Sequence, residues 1–249
     1  MRRSLLALAV VAVLIATASV PASAASWFQL RVNPASGDWR GGSPGFSDLP
    51  YTFTANMFGI TGFWQPAGFR LGLRGNLDTG SLSSFSPSGT YTGGNWRWWD
   101  LSLGLPLTVG PSMVLLFAGF GDTRWQANGA GFFSRQTTSG FAFGADVWVP
   151  IGEGRWYVYG HALFGPSHNY KYSNDPPFDP RFTGKADVTN YAAALGYNLP
   201  GGMNSVELGW RSGGFKVASA TPLFPPDANI NGMQTRWSGV YLGLVVRRP

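Results

Sequence analysis

One short stretch of the chain constrains its fold more than any other feature. Alternate positions of the segment 141–149 are apolar, and the positions between them hold small residues, one carboxylate and one tryptophan. An extended strand sends successive side chains to opposite faces, so the pattern predicts one apolar face and one face that carries Asp146. The apolar positions are Phe141, Phe143, Ala145, Val147 and Val149.

Segments with a period of two recur along the whole chain, separated by Gly, Pro and Asn breaks, and they predict an all-β protein. No apolar run beyond the N-terminal region approaches the roughly 20 residues that a membrane-spanning helix needs. We therefore expect ten strands and no spanning helix. The predicted strands lie at about 27–33, 51–63, 68–78, 95–107, 113–125, 133–149, 155–164, 189–199, 204–214 and 235–247.

The connections between these strands alternate between long and short. The tight ones are 65–67, 109–112, 150–154 and 200–203, whereas the long ones are 34–50, 79–94, 165–188 and 215–234. The connection at 128–131 falls on the long side of this alternation. In an antiparallel sheet, every second connection lies at the same end, so all tight turns share one end and all long loops share the other.

Composition separates a membrane barrel from an ordinary water-soluble sheet. Only 12% of the residues are charged, which is about half the usual fraction of a soluble globular protein. The chain also has 35 Gly and 38 aromatic residues, of which 11 are Trp, 18 are Phe and 9 are Tyr. A surface with so few charges is poorly suited to water. The apolar faces of the strands are therefore predicted to meet lipid, and the polar faces to line the interior.

These patterns resemble a small bacterial outer-membrane β-barrel protein, a likeness that covers the whole mature chain and rests on no specific motif. The resemblance implies a closed, antiparallel, up-and-down transmembrane barrel of about ten strands in the outer membrane. It also implies outer-membrane lipids, lipopolysaccharide and the barrel-insertion machinery as partners. One departure is the last strand, which ends at Arg248 and Pro249 instead of an aromatic residue.

The N-terminus predicts export. Arg2 and Arg3 precede an apolar run and a small-residue cleavage site that ends at Ala24, so residues 1–24 are predicted as a signal peptide and 25–249 as one barrel domain. The chain has no Cys and therefore no disulfide framework.

Two sets of residues are predicted to occupy particular places in such a barrel. Charged residues on the polar faces should point into the lumen and pair across strands, because an unpaired charge is costly to bury. Aromatic residues near strand ends should form girdles at the membrane interfaces. The lumen set is Arg70, Arg74, Asp100, Asp146, Glu207 and Arg211, and the girdle set is Trp27, Tyr51, Trp64, Trp98, Trp99, Trp156 and Trp237.

Residues for catalysis or metal binding are few. His161 and His168 are the only histidines, and neither sits in a motif that pairs it with a nucleophile, so no catalytic site is predicted. No segment has the ligand spacing of a metal site or the glycine-rich loop of a phosphate site, so no cofactor is expected. The formal charge of +6 is dispersed along the chain and does not indicate nucleic-acid binding.

The long connections are the predicted place of recognition, because loops carry binding residues more often than scaffolds do. We therefore expect a non-enzymatic protein with a structural, surface-interaction or adhesion role and an unidentified extracellular ligand. The alternatives are a narrow pore, a soluble, exported, calycin-like binding protein with an apolar pocket, and a lipid-modifying enzyme, which would need a Ser, a His and an acidic residue together at one rim of the barrel. The candidate binding residues in the connection 165–188 are Tyr170, Lys171, Tyr172, Phe178, Arg181 and Phe182.

Overall fold

The computed structural model describes residues 26–40, 51–86, 91–129, 132–174, 180–201, 203–222 and 232–248. The predicted signal peptide lies outside the described residues, as do Phe178 and the central parts of the predicted long connections. Among the described residues, no helix is long and apolar enough to cross a membrane.

Ten antiparallel strands form one closed barrel, as the alternation predicts. Each strand pairs with the next in sequence, and β1 pairs with β10, so the sheet closes on itself. This confirms the predicted up-and-down topology and the predicted strand count. The strands are β1 (Ser26–Arg40), β2 (Tyr51–Trp64), β3 (Gly72–Ser86), β4 (Tyr91–Val109), β5 (Ser112–Gly129), β6 (Phe132–Ile151), β7 (Trp156–Asn174), β8 (Pro180–Asn198), β9 (Asn204–Pro222) and β10 (Gln234–Arg248).

Several strands are longer than predicted, and the extension is at the end that carries the long connections. β7 runs to Asn174 and β8 begins at Pro180, so most of the predicted loop 165–188 is strand. The prediction of a loop there was wrong because the Gly165–Pro166 break in the period of two is an irregularity within β7 and not its end. The alternation continues past that point with polar residues outside, and it still forms a paired sheet.

A belt of exposed apolar side chains surrounds the half of the barrel near the tight turns. Many of these side chains are more than 40% exposed, which is unusual for large apolar residues in water. The belt includes Val32, Phe58, Leu73, Leu77, Leu101, Leu103, Phe120, Phe141, Phe143, Val149, Val158, Leu195, Leu208, Trp210, Val240 and Leu242.

The outward face changes from apolar to polar partway along every strand. In β2, for example, Phe58 and Ile60 are exposed in the belt, whereas Thr52 and Thr54 occupy the same face nearer the long connections. The change falls between Pro34 and Ser36, Asn56 and Phe58, Leu77 and Thr79, Arg97 and Trp99, Phe120 and Asp122, Ser139 and Phe141, Phe164 and Ser167, Thr189 and Tyr191, Trp210 and Ser212, and Ser238 and Val240.

Strand register brings these ten changes to a common level. In register, the changes on neighbouring strands coincide or differ by about one residue pair. Asp122 lies opposite Ser139, and both are on the polar side, but it also lies opposite Trp99, which is on the apolar side of β4. An offset of this size is expected at a constant height because the strands of a barrel are tilted. The segment 141–151 is about 33 Å long at about 3.3 Å per residue. With a strand tilt of about 40°, it spans roughly 25 Å along the barrel axis, which matches the height of the apolar band of transmembrane barrels. The barrel therefore has an apolar belt with one sharp edge, and a polar wall beyond it.

Candidate functional site

The lumen of the barrel is the site where charged side chains converge. Arg74 on β3 lies at its centre and bridges two carboxylates from other strands. Its Nη1 donates to Asp100 Oδ1 at 2.6 Å, and its Nε donates to Asp146 Oδ2 at 2.9 Å. All three side chains are almost wholly buried. Charge-assisted bonds of this length are among the stronger interactions available inside a protein.

Asp146 collects further partners from β7. Its Oδ1 accepts a hydrogen bond from Tyr159 Oη at 2.8 Å and lies 2.7 Å from His161 Nδ1. The imidazole of His161 stacks on Phe117 with an interplanar angle of 8°, and the Arg74 guanidinium lies 3.9 Å from the centroid of the same Phe117 ring. Asp146 is thus held by partners on three sides, and its ion pair with Arg74 lies against an aromatic surface.

A second cluster surrounds Asp78. Arg211 on β9 binds both carboxylate oxygens of Asp78, and the Nη2 of Arg31 on β1 lies 3.1 Å from Asp78 Oδ1. Arg31 also donates to Asn76 at 2.8 Å, and Arg211 Nε donates to Asn190 at 3.2 Å. The two arginines reach Asp78 from strands that are not its neighbours, so the cluster ties together distant parts of the wall.

Glu207 on β9 forms the third part of the network. It accepts hydrogen bonds from Tyr157 at 2.9 Å, from Tyr241 at 3.2 Å and from Gln29. Gln29 Oε1 in turn accepts from Arg31, which connects Glu207 to the Asp78 cluster. Buried polar groups of this kind are tolerated when they have partners, and here each carboxylate has at least two.

Aromatic side chains close the lumen on both sides of this network. On the side of the tight turns, Trp27 and Trp148 pack edge to face at 5.2 Å. Beyond the network, at the level of the polar wall, Trp96 contacts Trp237 at 5.2 Å. Other buried aromatic residues at that end are Tyr51, Phe53, Phe85, Tyr91, Trp125, Tyr170, Tyr172, Phe182 and Phe215.

Little free space remains between these layers. The cavity beside the network has a volume of about 10 Å³, which is room for roughly one water molecule. It is lined by Arg31, Arg74, Arg211 and Tyr159, among others. The network and the two aromatic layers thus occupy much of the described lumen.

Five of the six charged residues predicted for the lumen lie buried inside the barrel, and Arg70 does not. Arg70 precedes β3 and is exposed at the tight-turn end. The alternation of Arg70 with Phe69 and Leu71 predicts a strand there, but these residues belong to the turn region that follows Trp64. The buried five are Arg74, Asp100, Asp146, Glu207 and Arg211.

Sequence reasoning missed Arg31 and Asp78, the other two charged members of the network. Asp78 is four positions after Arg74 on β3, so it shares the inward face. Arg31 alternates with Leu30 and Val32 on β1 in the same manner. The alternation along β1 and β3 therefore indicates that Arg31 and Asp78 face inward. Only the tertiary structure shows that they meet Arg211 there.

Four of the seven residues predicted for the aromatic girdles lie inside the barrel instead. Trp27, Tyr51, Trp98 and Trp237 are each at most 7% exposed. They occupy inward positions of their strands, and there they fill the lumen. Trp64 and Trp156 are about half exposed near the tight turns, where a girdle would lie.

Three of the six candidate binding residues of the predicted loop 165–188 are buried and unavailable to a partner. Tyr170 and Tyr172 on β7 and Phe182 on β8 are at most 1% exposed, because they point into the aromatic layer. Lys171 is exposed on the outer wall. Arg181 belongs to β8 and Phe178 lies outside the described residues.

Both histidines are engaged in the interior. His161 contacts Asp146 in the lumen, and His168 Nε2 lies 3.0 Å from the carbonyl oxygen of Phe141. Within the described part of the chain, no group of three or more His, Cys, Asp or Glu residues is placed to hold a metal ion.

Comparison with known proteins bears on the fold. No protein-family model matches the chain, and neither does any curated protein. Among solved structures, the outer membrane protease OmpT from Escherichia coli aligns with a TM-score of 0.58 at 11% identity, over 90% of this chain and 97% of that one. The chain has the fold of an outer membrane β-barrel.

Two other barrels align over most of their length but less closely. The translocator domain of the autotransporter NalP from Neisseria meningitidis has a TM-score of 0.40 at 11% identity, over 98% of this chain and 95% of that one. An outer membrane channel from Pseudomonas putida F1 has a TM-score of 0.39 at 13% identity, over 93% of this chain and 97% of that one.

The lumen network makes a prediction that contrasts two nearby arginines. Replacing Arg74 with Gln leaves Asp100 and Asp146 without their shared cation, and we expect the free energy of unfolding to fall by about 3–5 kcal/mol. Arg70→Gln removes the same group from an exposed position and should change it by less than about 0.5 kcal/mol. Urea unfolding in detergent micelles, followed by tryptophan fluorescence, measures both. Equal midpoints for the two variants would contradict the assignment of Arg74 to a stabilising network.

Proposed function

We propose that this protein is inserted in the outer membrane as a closed barrel and has a non-catalytic role in interactions at the cell surface. The observation that carries the proposal is the change from apolar to polar outward residues at one level on all ten strands. A lipid bilayer explains why the change lies at the same height on every strand, because its hydrocarbon core accepts apolar side chains and ends abruptly at the head groups.

The soluble alternative explains this surface poorly. A calycin-like protein keeps its apolar faces inside and presents polar faces to water. Here Leu103, Leu208 and Leu242 are each more than half exposed, and the charged residues Arg74, Asp146 and Glu207 are buried. That arrangement favours a barrel whose outer surface meets hydrocarbon.

The filled lumen argues against the pore alternative. A conducting barrel needs a continuous polar path, and in this chain the charged network lies between two aromatic layers. Barrels of about this size have interiors that side chains largely fill. We therefore assign the protein no transport role.

The non-catalytic assignment rests on where the histidines lie. The solved structure with the TM-score of 0.58 is a protease, but a likeness at 11% identity supports only the fold. In this chain the Asp146–His161 pair lies in the lumen beside a cavity of about 10 Å³, which a peptide cannot enter. His168 is buried in the wall against a backbone carbonyl.

The polar wall beyond the belt is the part that we assign to interactions. Three strands continue well past the edge of the belt. β7 runs to Asn174, β8 begins at Pro180, and β9 runs to Pro222. Aromatic residues such as Tyr172 and Phe182 fill this extension from inside, and their rings pack at 5.8 Å. The extension is therefore a packed part of the barrel that continues beyond the apolar belt.

A single charge in the belt should impair insertion. Leu103→Arg places a cation on the lipid-facing surface, and we expect it to lower the stability of the folded barrel in phospholipid vesicles by about 2–4 kcal/mol. Ser81→Arg adds the same group to the polar wall and should be nearly neutral. The assay is a urea titration in which the folded fraction is measured on a gel, because folded barrels migrate differently before and after boiling. Equal stability of the two variants would argue against lipid contact at Leu103.

Orientation can be tested with introduced cysteines, because the chain has no Cys of its own. Thr52 is exposed on the polar wall, and Ala67 is exposed in a tight turn at the other end. On intact cells, a membrane-impermeant maleimide should label Thr52→Cys and leave Ala67→Cys unlabelled. Both should react after the cells are lysed. Labelling of Ala67→Cys on intact cells, without labelling of Thr52→Cys, would reverse the proposed orientation.

Conductance separates the closed barrel from the pore. Protein whose insertion into a planar bilayer has been verified should give no stable current steps, because the lumen holds no continuous water path. Stable open channels in the same membranes would overturn the closed-barrel proposal and favour the pore.

A further inference from the structure

The pairing between β6 and β7 is interrupted near the edge of the apolar belt. The ladder has no register pairs for residues 140–142 of β6 and 165–168 of β7, although the pairing is regular on both sides of them. Through the same residues β6 remains paired with β5 without a break. We call residues 140–142 and 165–168 the seam. Backbone groups without partners are costly at the edge of a membrane, so the seam needs other hydrogen bonds.

β7 also bulges on its other side at this level. The register of β7 against β8 shifts by one residue between Gly165 and His168. Ser167, inside the bulge, has a φ of 54°, in the left-handed region that residues other than glycine rarely adopt. The Ser167 N–H donates to Asp187 Oδ1 on β8 at 3.0 Å. β7 therefore leaves the regular ladder on both sides at one level, and side chains hold it there.

The imidazole of His168 fills the space at the seam and is fully buried. Gly140 and Gly165 make room for the ring, because a Cβ added to Gly140 would lie 2.8 Å from His168 Cδ2 and one added to Gly165 would meet its Nε2. The same Nε2 lies 3.0 Å from the carbonyl oxygen of Phe141, one of the residues of β6 that have no partner on β7. The side chain thus supplies a hydrogen bond where strand pairing supplies none.

This contact requires one form of the His168 ring. A carbonyl oxygen can only accept a hydrogen bond, so Nε2 carries the proton and donates it. Nδ1 is buried and has no hydrogen-bond partner among the described residues. A second proton, on Nδ1, would bury a cation whose new N–H finds no acceptor there, and such a group is costly. The closed seam therefore selects the neutral imidazole.

The strands around the ring offer little compensation for a positive charge. Residues 139–142 of β6 include no titratable side chain. β8 contributes Asp187, which already accepts the backbone N–H in the bulge, and Lys185, which donates to a neighbouring asparagine at 2.7 Å. β7 itself contributes Tyr170, which is buried, and Lys171, which is exposed. These stretches thus carry one carboxylate and two ammonium groups, with no net negative charge to balance a further cation.

We infer that His168 is an acid-sensitive latch, whose neutral imidazole holds the seam closed and whose protonation releases β7 from β6 at the edge of the apolar belt. His168 follows the change from apolar to polar outward residues on β7, so it lies at the level of the polar wall. The inference rests on the register of β6, β7 and β8, and not on the proposed surface role.

The direction of the pH dependence follows from the neutral form of the ring. A free imidazole titrates at about pH 6.5. Closure of the seam binds only the ring without its second proton, so the closed seam is most stable above that pH. Its stability falls as the pH drops below that value, because the open seam then binds a proton that the closed one excludes.

Hydrogen–deuterium exchange of the folded barrel in detergent micelles, read by mass spectrometry, tests the latch. After correction for intrinsic exchange rates, the backbone amides of the seam should exchange about tenfold faster or more at about pH 5 than at about pH 7.5. Residues 206–212 of β9 pair on both sides without interruption, and their corrected rates should change by less than about twofold. Equal corrected rates at the seam at the two pH values would overturn the latch.

Two variants separate His168 from its acidic neighbour. His168→Gln keeps an N–H donor but does not titrate in this range, so the corrected exchange at the seam should be the same at both pH values. Asp187→Asn should keep the acid response, because its side-chain oxygen can still accept from Ser167 and the imidazole is unchanged. A response that is lost in Asp187→Asn and kept in His168→Gln would make Asp187 the sensor and overturn the latch.

The protonation state can also be observed directly in the unchanged protein. The chain has only two histidines, His161 and His168, so labelling histidine with ¹⁵N gives two imidazoles, and a variant of either one assigns both. At about pH 7.5 the His168 ring should be neutral, with its proton on Nε2. A ring that carries its proton on Nδ1, or that is protonated while the seam amides stay protected, would contradict the latch.

Discussion

The pairing of β1 with β10 closes the sheet, and the other features of the molecule depend on this closure. A sheet without edges pairs its backbone groups within the wall, which is the condition for contact with hydrocarbon. Closure also divides the side chains of each strand between a lumen and an outer surface. The apolar belt, the charged network and the polar wall are three consequences of that division.

The interior combines two ways of filling a narrow barrel. At the level of the belt, where the outer face is apolar, Arg74 and Arg211 hold buried carboxylates from other strands. At the level of the polar wall the arrangement is inverted, and aromatic residues such as Trp96 and Phe182 occupy the inside. The same period of two therefore builds a membrane barrel in one half and a water-exposed barrel with an apolar core in the other.

Strand number, topology and most of the lumen charges could be predicted because they follow from local alternation and the length of the connections. The prediction failed where alternation alone does not show where a strand ends or which face of it points into the lumen. The predicted loop at 165–188 was wrong because the irregularity between Gly165 and His168 interrupts the period of two without ending β7. The girdle assignment of Trp98 and Trp237 was wrong because aromatic residues suit both an interface and a crowded lumen. Arg70 was misplaced because alternation does not reveal where a turn ends.

Alternating strands and tight turns can be recognised in the chain because they depend on neighbouring residues, and the low fraction of charged residues, read from composition, already argues against a surface wholly in water. Tertiary structure alone decided which distant groups meet. Asp78 and Arg211 belong to β3 and β9, and their contact depends on the barrel's closure and register. Arg97 and Arg124 lie side by side for the same reason. Such pairings depend on how strands are aligned across the wall, and a pattern within one strand carries no information about that alignment.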